Sequence, residues 1–122
     1  MQQGNASRLA ALLLALAGAA LAASAVAEDV RTVSIDASEF AFEPDTIEAQ
    51  AGQRLRIELV NTGTLSHNLH IDGEAVQAKT ETVQKGSEAS VTFTVPDSGS
   101  VRFFCNVPGH KQAGMTGKVV VQ

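Results

Sequence analysis

Aromatic side chains are scarce in this sequence, which has five Phe and neither Trp nor Tyr. That leaves little material for stacking single-stranded nucleic acid, and a formal net charge of −4 removes the basic face that a phosphate backbone requires. Cysteine is scarcer still. A single Cys105 excludes an intramolecular disulfide and any zinc site built from Cys-x-x-Cys pairs, so its thiol is idle, paired with another chain, or bound to a metal or redox group. There is no Pro- or Ser-rich tract, low-complexity segment or internal repeat, which argues against a linker, a stalk or a second module. Long apolar runs are reduced to one, residues 9–23, and its 15 residues fall short of the roughly 20 that a bilayer-crossing helix needs.

That run is instead a secretory leader. Arg8 precedes it, and Ser24-Ala25-Val26-Ala27 closes it with the small-x-small pattern of a signal-peptidase site, so residues 1–27 read as a signal peptide cleaved before Glu28. No Cys stands near the junction for lipid attachment, and no Arg-Arg pair precedes the apolar run for twin-arginine export. Residues 28–122 then form one exported, periplasmic domain without stable membrane insertion. Loss of Arg8 moves the formal charge from −4 to −5. With 44% hydrophobic residues the chain has ample apolar material for a core.

The mature region reads as short strands. Leu55, Ile57 and Leu59 alternate with Arg54, Arg56 and Glu58, the period of two expected of a strand with one buried face, and Val91, Phe93 and Val95 repeat it. Residues 32–35, 46–49, 67–71, 101–105 and 118–121 supply further candidates, separated by turn signals such as Asn61-Thr62-Gly63, Asp72-Gly73, Lys85-Gly86 and Pro96-Asp97-Ser98-Gly99. The expectation is an all-β protein, an antiparallel Greek-key sandwich of seven to eight strands, with a short helix or loop in residues 74–83.

Chemistry concentrates near the C-terminus, where Cys105, His110 and Met115 are spaced Cys-x4-His-x4-Met. Taken singly, a Cys is a small hydrophobe, a Met fills gaps and a His after Gly sits in a solvated loop. Together, thiolate, imidazole and thioether make a soft, graded ligand set that lacks one more imidazole. His67 follows the turn at residues 61–66 and opens a strand, which can bring it to the same end of the sandwich. Two imidazoles and a thiolate with a weak axial thioether form the type 1 blue-copper arrangement, whereas zinc prefers four strong ligands or three and a water. His70 is a poor extra ligand, because three residues along a strand from His67 it faces the opposite side.

These residues resemble the cupredoxin family, the plastocyanin and azurin relatives, over nearly the whole mature chain. The resemblance is carried by Phe40-x-Phe42-x-Pro44 with Ile47 and Gly52, by Asn61-x-Gly63 with His67-Asn68, and by residues 99–121. Cys-x-x-Pro-Gly-His is similar to azurin, and His-x4-Met before Gly117-Lys118-Val119 to plastocyanin. The family implies His67, Cys105, His110 and Met115 as ligands of one copper ion, and Asn68 as a tie between the two ligand loops. Val101 departs from the family, which often has Tyr there, and Ser66 stands where azurins have a Gly carbonyl ligand. If Cys105 points at the metal, alternation sends Phe103 inward and Phe104 to a half-exposed face.

The expected function is a periplasmic one-electron carrier cycling Cu(II) and Cu(I) between redox partner proteins, for example c-type cytochromes or a copper-containing reductase or oxidase. It would work as a monomer, with electrons leaving through His110. The alternative is copper storage or delivery, although the single mature methionine, Met115, gives little thioether for a Cu(I) carrier. An enzyme is not expected: neither paired carboxylates nor a nucleophile elbow is present, and a Cys105–His110 hydrolase would lack an orienting partner.

Overall fold

In the computed structural model, residues 29–122 are described, and they form two sheets packed face to face. Residues 1–27, expected as a signal peptide, lie outside the described residues. In chain order the strands are β1 (Val30–Ser38), β2 (Ala41–Glu43), β3 (Thr46–Ala49), β4 (Arg54–Asn61), β5 (His70–Asp72), β6 (Gln77–Lys79), β7 (Glu88–Thr94), β8 (Ser100–Phe104) and β9 (Thr116–Val121). One sheet has the order β2-β1-β4-β7 and the other β3-β9-β8-β5-β6.

The alternation legible in β4 and β7 is what builds the core. Leu55, Ile57 and Leu59 are wholly buried, and the antiparallel register sets Leu55 opposite Phe93 and Ile57 opposite Val91. Each fully buried side chain of this size contributes about 1.5–3 kcal/mol relative to exposure. Val101, Phe103 and Val119 answer from the facing sheet, with Ile35, Phe42, Ile47 and Leu69 completing the cluster. Phe103 is buried and Phe104 half-buried, as alternation from Cys105 requires.

Three features depart from the sequence expectation. The sandwich is not wholly antiparallel, since β1 pairs with β4 and β3 with β9 in parallel. The cause is the crossing at β3: the chain leaves the first sheet, places β3 in the second, and returns as β4 beside β1 in the same direction. Residues 74–83 contain no helix but the three-residue strand β6, which makes nine strands among the described residues. His67 does not open a continuous strand. It forms an isolated antiparallel bridge to Val83, and β5 begins only at His70.

The register of β8 and β9 opposes Phe103 to Gly117, and a Cβ at Gly117 would run into the Phe103 ring and the Asp45 carbonyl. Glycine therefore leaves room for the fully buried Phe103 ring beside its neighbour strand. Gly117→Ala should destabilise the metal-free protein by about 1–3 kcal/mol through overpacking, read as a lower urea midpoint. An unchanged midpoint would mean that the ring has room to move.

Candidate metal centre

The end of β8 and the loop that follows it form a closed ring of backbone hydrogen bonds. The Cys105 N–H donates to the Met115 carbonyl at 3.1 Å, and the Met115 N–H donates to the His110 carbonyl at 3.1 Å. Within the loop the His110 N–H reaches Val107 O at 3.0 Å, and positive φ at Gly109 (85°) and Gly114 (101°) supplies the reversals that only glycine adopts without strain. The spacing Cys-x4-His-x4-Met thus lets the chain turn back on itself, so that backbone hydrogen bonds join Cys105, His110 and Met115.

The fourth residue comes from the β4–β5 connection, which Asn61 shapes from the inside. Its amide donates to Leu65 O at 2.8 Å and to Val83 O at 2.9 Å, while its oxygen accepts the Gly63 N–H at 2.9 Å. The bridge to Val83 then holds His67, with His67 N–H to Val83 O at 3.1 Å and the return bond at 2.8 Å. Asn68 ties the two loops together: its oxygen accepts the Asn106 N–H at 2.7 Å and its amide donates to Thr82 Oγ1 at 2.9 Å.

His67, Cys105 and His110 consequently converge, with one ligand atom from each lying within 4.8 Å of the others. The Cys105 Sγ is 3.5 Å from Nδ1 of His110, and the two imidazole centroids are 5.1 Å apart. His67, Cys105 and Met115 have no exposed surface and His110 only 5%. Both ring nitrogens of His67 are buried without a hydrogen-bond partner. Burial pushes its pKa below the ordinary histidine value, His110 pushes it further, and Glu39 opposes both. A neutral imidazole with orphaned nitrogens, facing a thiol and a second imidazole in a buried pocket, is the environment that a soft cation satisfies. The donor set fits.

His70 lies outside this cluster, at the start of β5, although no continuous strand links it to His67. Its ring stacks on Phe104 at 5.4 Å, over which Lys111 Nζ also sits at 4.2 Å, and its pKa is lowered by burial and then by Lys79. Val101, in place of the family's frequent Tyr, is simply buried core.

Two residues at the β1–β2 turn were invisible to spacing arguments. Phe40 has φ of 61°, a left-handed conformation that costs a bulky residue about 1–3 kcal/mol, and its ring meets His110 edge-on at 5.2 Å. Glu39 accepts the Thr64 N–H at 2.5 Å and the Leu65 N–H at 3.0 Å through Oε1, which also stands 3.7 Å from Nε2 of His67. Neither residue lies near the ligands in sequence. Only the Phe40-x-Phe42-x-Pro44 pattern marked the segment at all.

Comparison with known proteins agrees with this geometry. The family model described as a cupredoxin-like domain matches residues 9–121. The chain belongs to the cupredoxin family. It is 32% identical to the chloroplast plastocyanin of Tetradesmus obliquus over 89% of this chain and 77% of that one. To the copper-resistant cuproprotein CopI of Rubrivivax gelatinosus it is 30% identical, over 75% of this chain and 67% of the relative. Auracyanin A, a blue copper protein of Chloroflexus aurantiacus, superposes with a TM-score of 0.68 at 26% identity, covering 77% of this chain and all of that one. For this cupredoxin the cofactor that family and donor set specify is one type 1 copper ion.

Two backbone N–H bonds, from Leu65 and then Thr64, hold the Glu39 pKa down at about 2 against an ordinary 4.5. In the unfolded chain this carboxylate takes up its proton first, so its contribution is complete above pH 4.5 and disappears as pH falls towards 2. The stability difference between metal-free wild type and Glu39→Gln should therefore be constant near neutrality and shrink through that acid window. Urea titrations at stepped pH measure it, and a difference independent of pH would remove the carboxylate from these bonds.

Proposed function

We propose that this cupredoxin is a periplasmic one-electron carrier in which His67, Cys105, His110 and Met115 hold the copper. The observation that carries the reading is the convergence of three donor atoms within 4.8 Å in a buried pocket. Ligands already assembled by hydrogen-bonded loops and core packing have little to rearrange when the metal changes charge, and small reorganisation is what fast electron transfer requires. Copper supplies the redox couple. The chain supplies the rest: β8 and the 105–115 loop fix Cys105, His110 and Met115, the Val83 bridge fixes His67, and the core excludes water from all four.

His110 is the donor nearest solvent, at 5% exposure, and the surface at its end of the molecule includes apolar side chains alongside the exposed Lys111 and Gln112. Phe40 and Leu65 are 44% and 43% exposed at this end, beside Val107, Pro108 and Ala113 of the loop. Such a patch suits a small, short-lived contact through which an electron leaves by the His110 ring. A c-type cytochrome or a copper-containing reductase or oxidase fits that role, with the protein acting as a monomer. Export through cleavage before Glu28 is part of the same reading, and no helix among the described residues is long and apolar enough to cross a membrane. Four protein donors leave no place built for a substrate, so the reading is of a carrier and not an enzyme.

The CopI relatives, named for copper resistance, favour a second reading in which the protein sequesters or delivers copper. Both readings use the same four residues. They separate on turnover: a carrier is reduced and reoxidised repeatedly with its copper retained, whereas a delivery protein gives the metal up to an acceptor or chelator.

Loaded with Cu(II), the protein should absorb intensely in the visible through thiolate-to-copper charge transfer. Cys105→Ser should abolish the band, His67→Ala should weaken the site, and His70→Ala should leave the spectrum unchanged. A Ser variant that stays blue would refute the assignment. Met115→Gln should keep a coloured site at a lower potential in voltammetry, since an oxygen donor favours Cu(II) more than thioether does. An equal or higher potential would make Met115 core packing alone.

A further inference from the structure

Glu39 is an acidic side chain beside the metal centre that the ligand set does not use. It stands at the turn between β1 and β2, and its carboxylate oxygen Oε1 accepts the Thr64 N–H at 2.5 Å, the Leu65 N–H at 3.0 Å and the Thr64 hydroxyl at 3.3 Å. The same oxygen lies 3.7 Å from Nε2 of His67, whose side chain is wholly buried while that of Glu39 is 38% exposed. Gly63 makes room for it, because any Cβ at that position would collide with the Glu39 carboxylate. The carboxylate is thus held by backbone N–H groups in the room that Gly63 leaves, partly exposed to solvent and within 3.7 Å of His67 Nε2.

Glu39 is not itself a ligand of the cluster, since the group of mutually close donor atoms contains His67, Cys105 and His110 without it. A histidine that binds a metal through one nitrogen carries its proton on the other, and the group facing that N–H fixes the tautomer and the ring orientation. Nε2 of His67 has no hydrogen-bond partner within reach, and 3.7 Å is beyond hydrogen-bond length but within ion-pair range. A fixed carboxylate there does two things. It favours the proton on Nε2, leaving Nδ1 as the donor, and it sets a negative charge one imidazole away from the metal.

We propose that Glu39 is a positioning residue that selects the Nε2–H tautomer of His67 and biases the copper site towards Cu(II). The proposal rests on the blue-copper reading above. It extends that reading from the four donors to an anionic group that reaches the site from a separate hairpin, 28 positions before His67. Because Glu39 is partly exposed, water screens its charge and the bias is modest: removing it should shift the Cu(II)/Cu(I) equilibrium about threefold towards Cu(I).

Glu39→Gln is the discriminating variant, because its amide oxygen can still accept the Thr64 and Leu65 N–H groups while the charge is gone. Voltammetry of the copper-loaded wild type and variant should show the threefold shift, with the blue band retained. Nitrogen-15 spectra of the metal-free proteins at neutral pH should show His67 as the Nε2–H tautomer in wild type and a redistributed proton in the variant, with His110 unmoved. An unchanged potential overturns the proposal. So does a shifted potential with an unaltered His67 tautomer, which would make Glu39 only a nearby surface charge. A wild type that stays colourless with Cu(II) would defeat the blue-copper reading instead, and the metal-free spectra would still decide the Glu39–His67 contact. Glu39→Ala serves as the structural control: it removes the acceptor along with the charge, so it should lower the thermal midpoint further than Glu39→Gln does.

Discussion

Holding a thiol and two imidazoles at one buried point is the constraint on which the rest of this molecule depends. Both ring nitrogens of the wholly buried His67 lack a hydrogen-bond partner within the protein, and an unsatisfied buried polar group costs about 1–3 kcal/mol. The surrounding chain must therefore be stable enough to hold the donors together against that cost. The cross-packed rows of β4, β7 and β8 supply that stability, and the loop bonds of Asn61 and Asn68 convert it into position.

The same end of the sandwich is braced from a third direction. The β1–β2 turn brings Glu39 to the loop before His67 and Phe40 to the ring of His110, so one short hairpin touches the surroundings of both imidazoles. Its cost is local: Phe40 sits at a φ of 61°, and the bonds from Thr64 and Leu65 to Glu39 are the neighbouring contacts that can offset it. Backbone held in a sparsely populated conformation is most often found where a site demands it. Here it orients an aromatic edge against the one donor that approaches solvent.

How much of this was legible in the sequence follows from how local each signal is. Alternation in β4 and β7 and the Cys-x4-His-x4-Met spacing are short-range patterns, and both carried through to the core rows and the loop. His70 stands apart from the cluster for another reason than the one read from the sequence: no continuous strand links it to His67, and at the start of β5 its ring stacks on Phe104. The parallel pairing of β1 with β4 was not legible, because it depends on which sheet β3 joins, and no residue within β3 announces that. Strand β6 was missed because three residues bounded by turns carry too little periodicity to distinguish them from loop. Glu39 and Asn61 were missed as site residues for a related reason: a Glu beside an aromatic, or an Asn in a turn, reads as surface chemistry until the fold brings its partners to it.

The central claim is that the protein presents copper with a fixed coordination set that serves both oxidation states. X-ray absorption of the copper-loaded protein, recorded oxidised and then reduced, tests it most directly. The account predicts two imidazole nitrogens and one short thiolate sulfur in both states, with the metal–ligand distances nearly unchanged between them. A ligand lost or a water gained on reduction would contradict it.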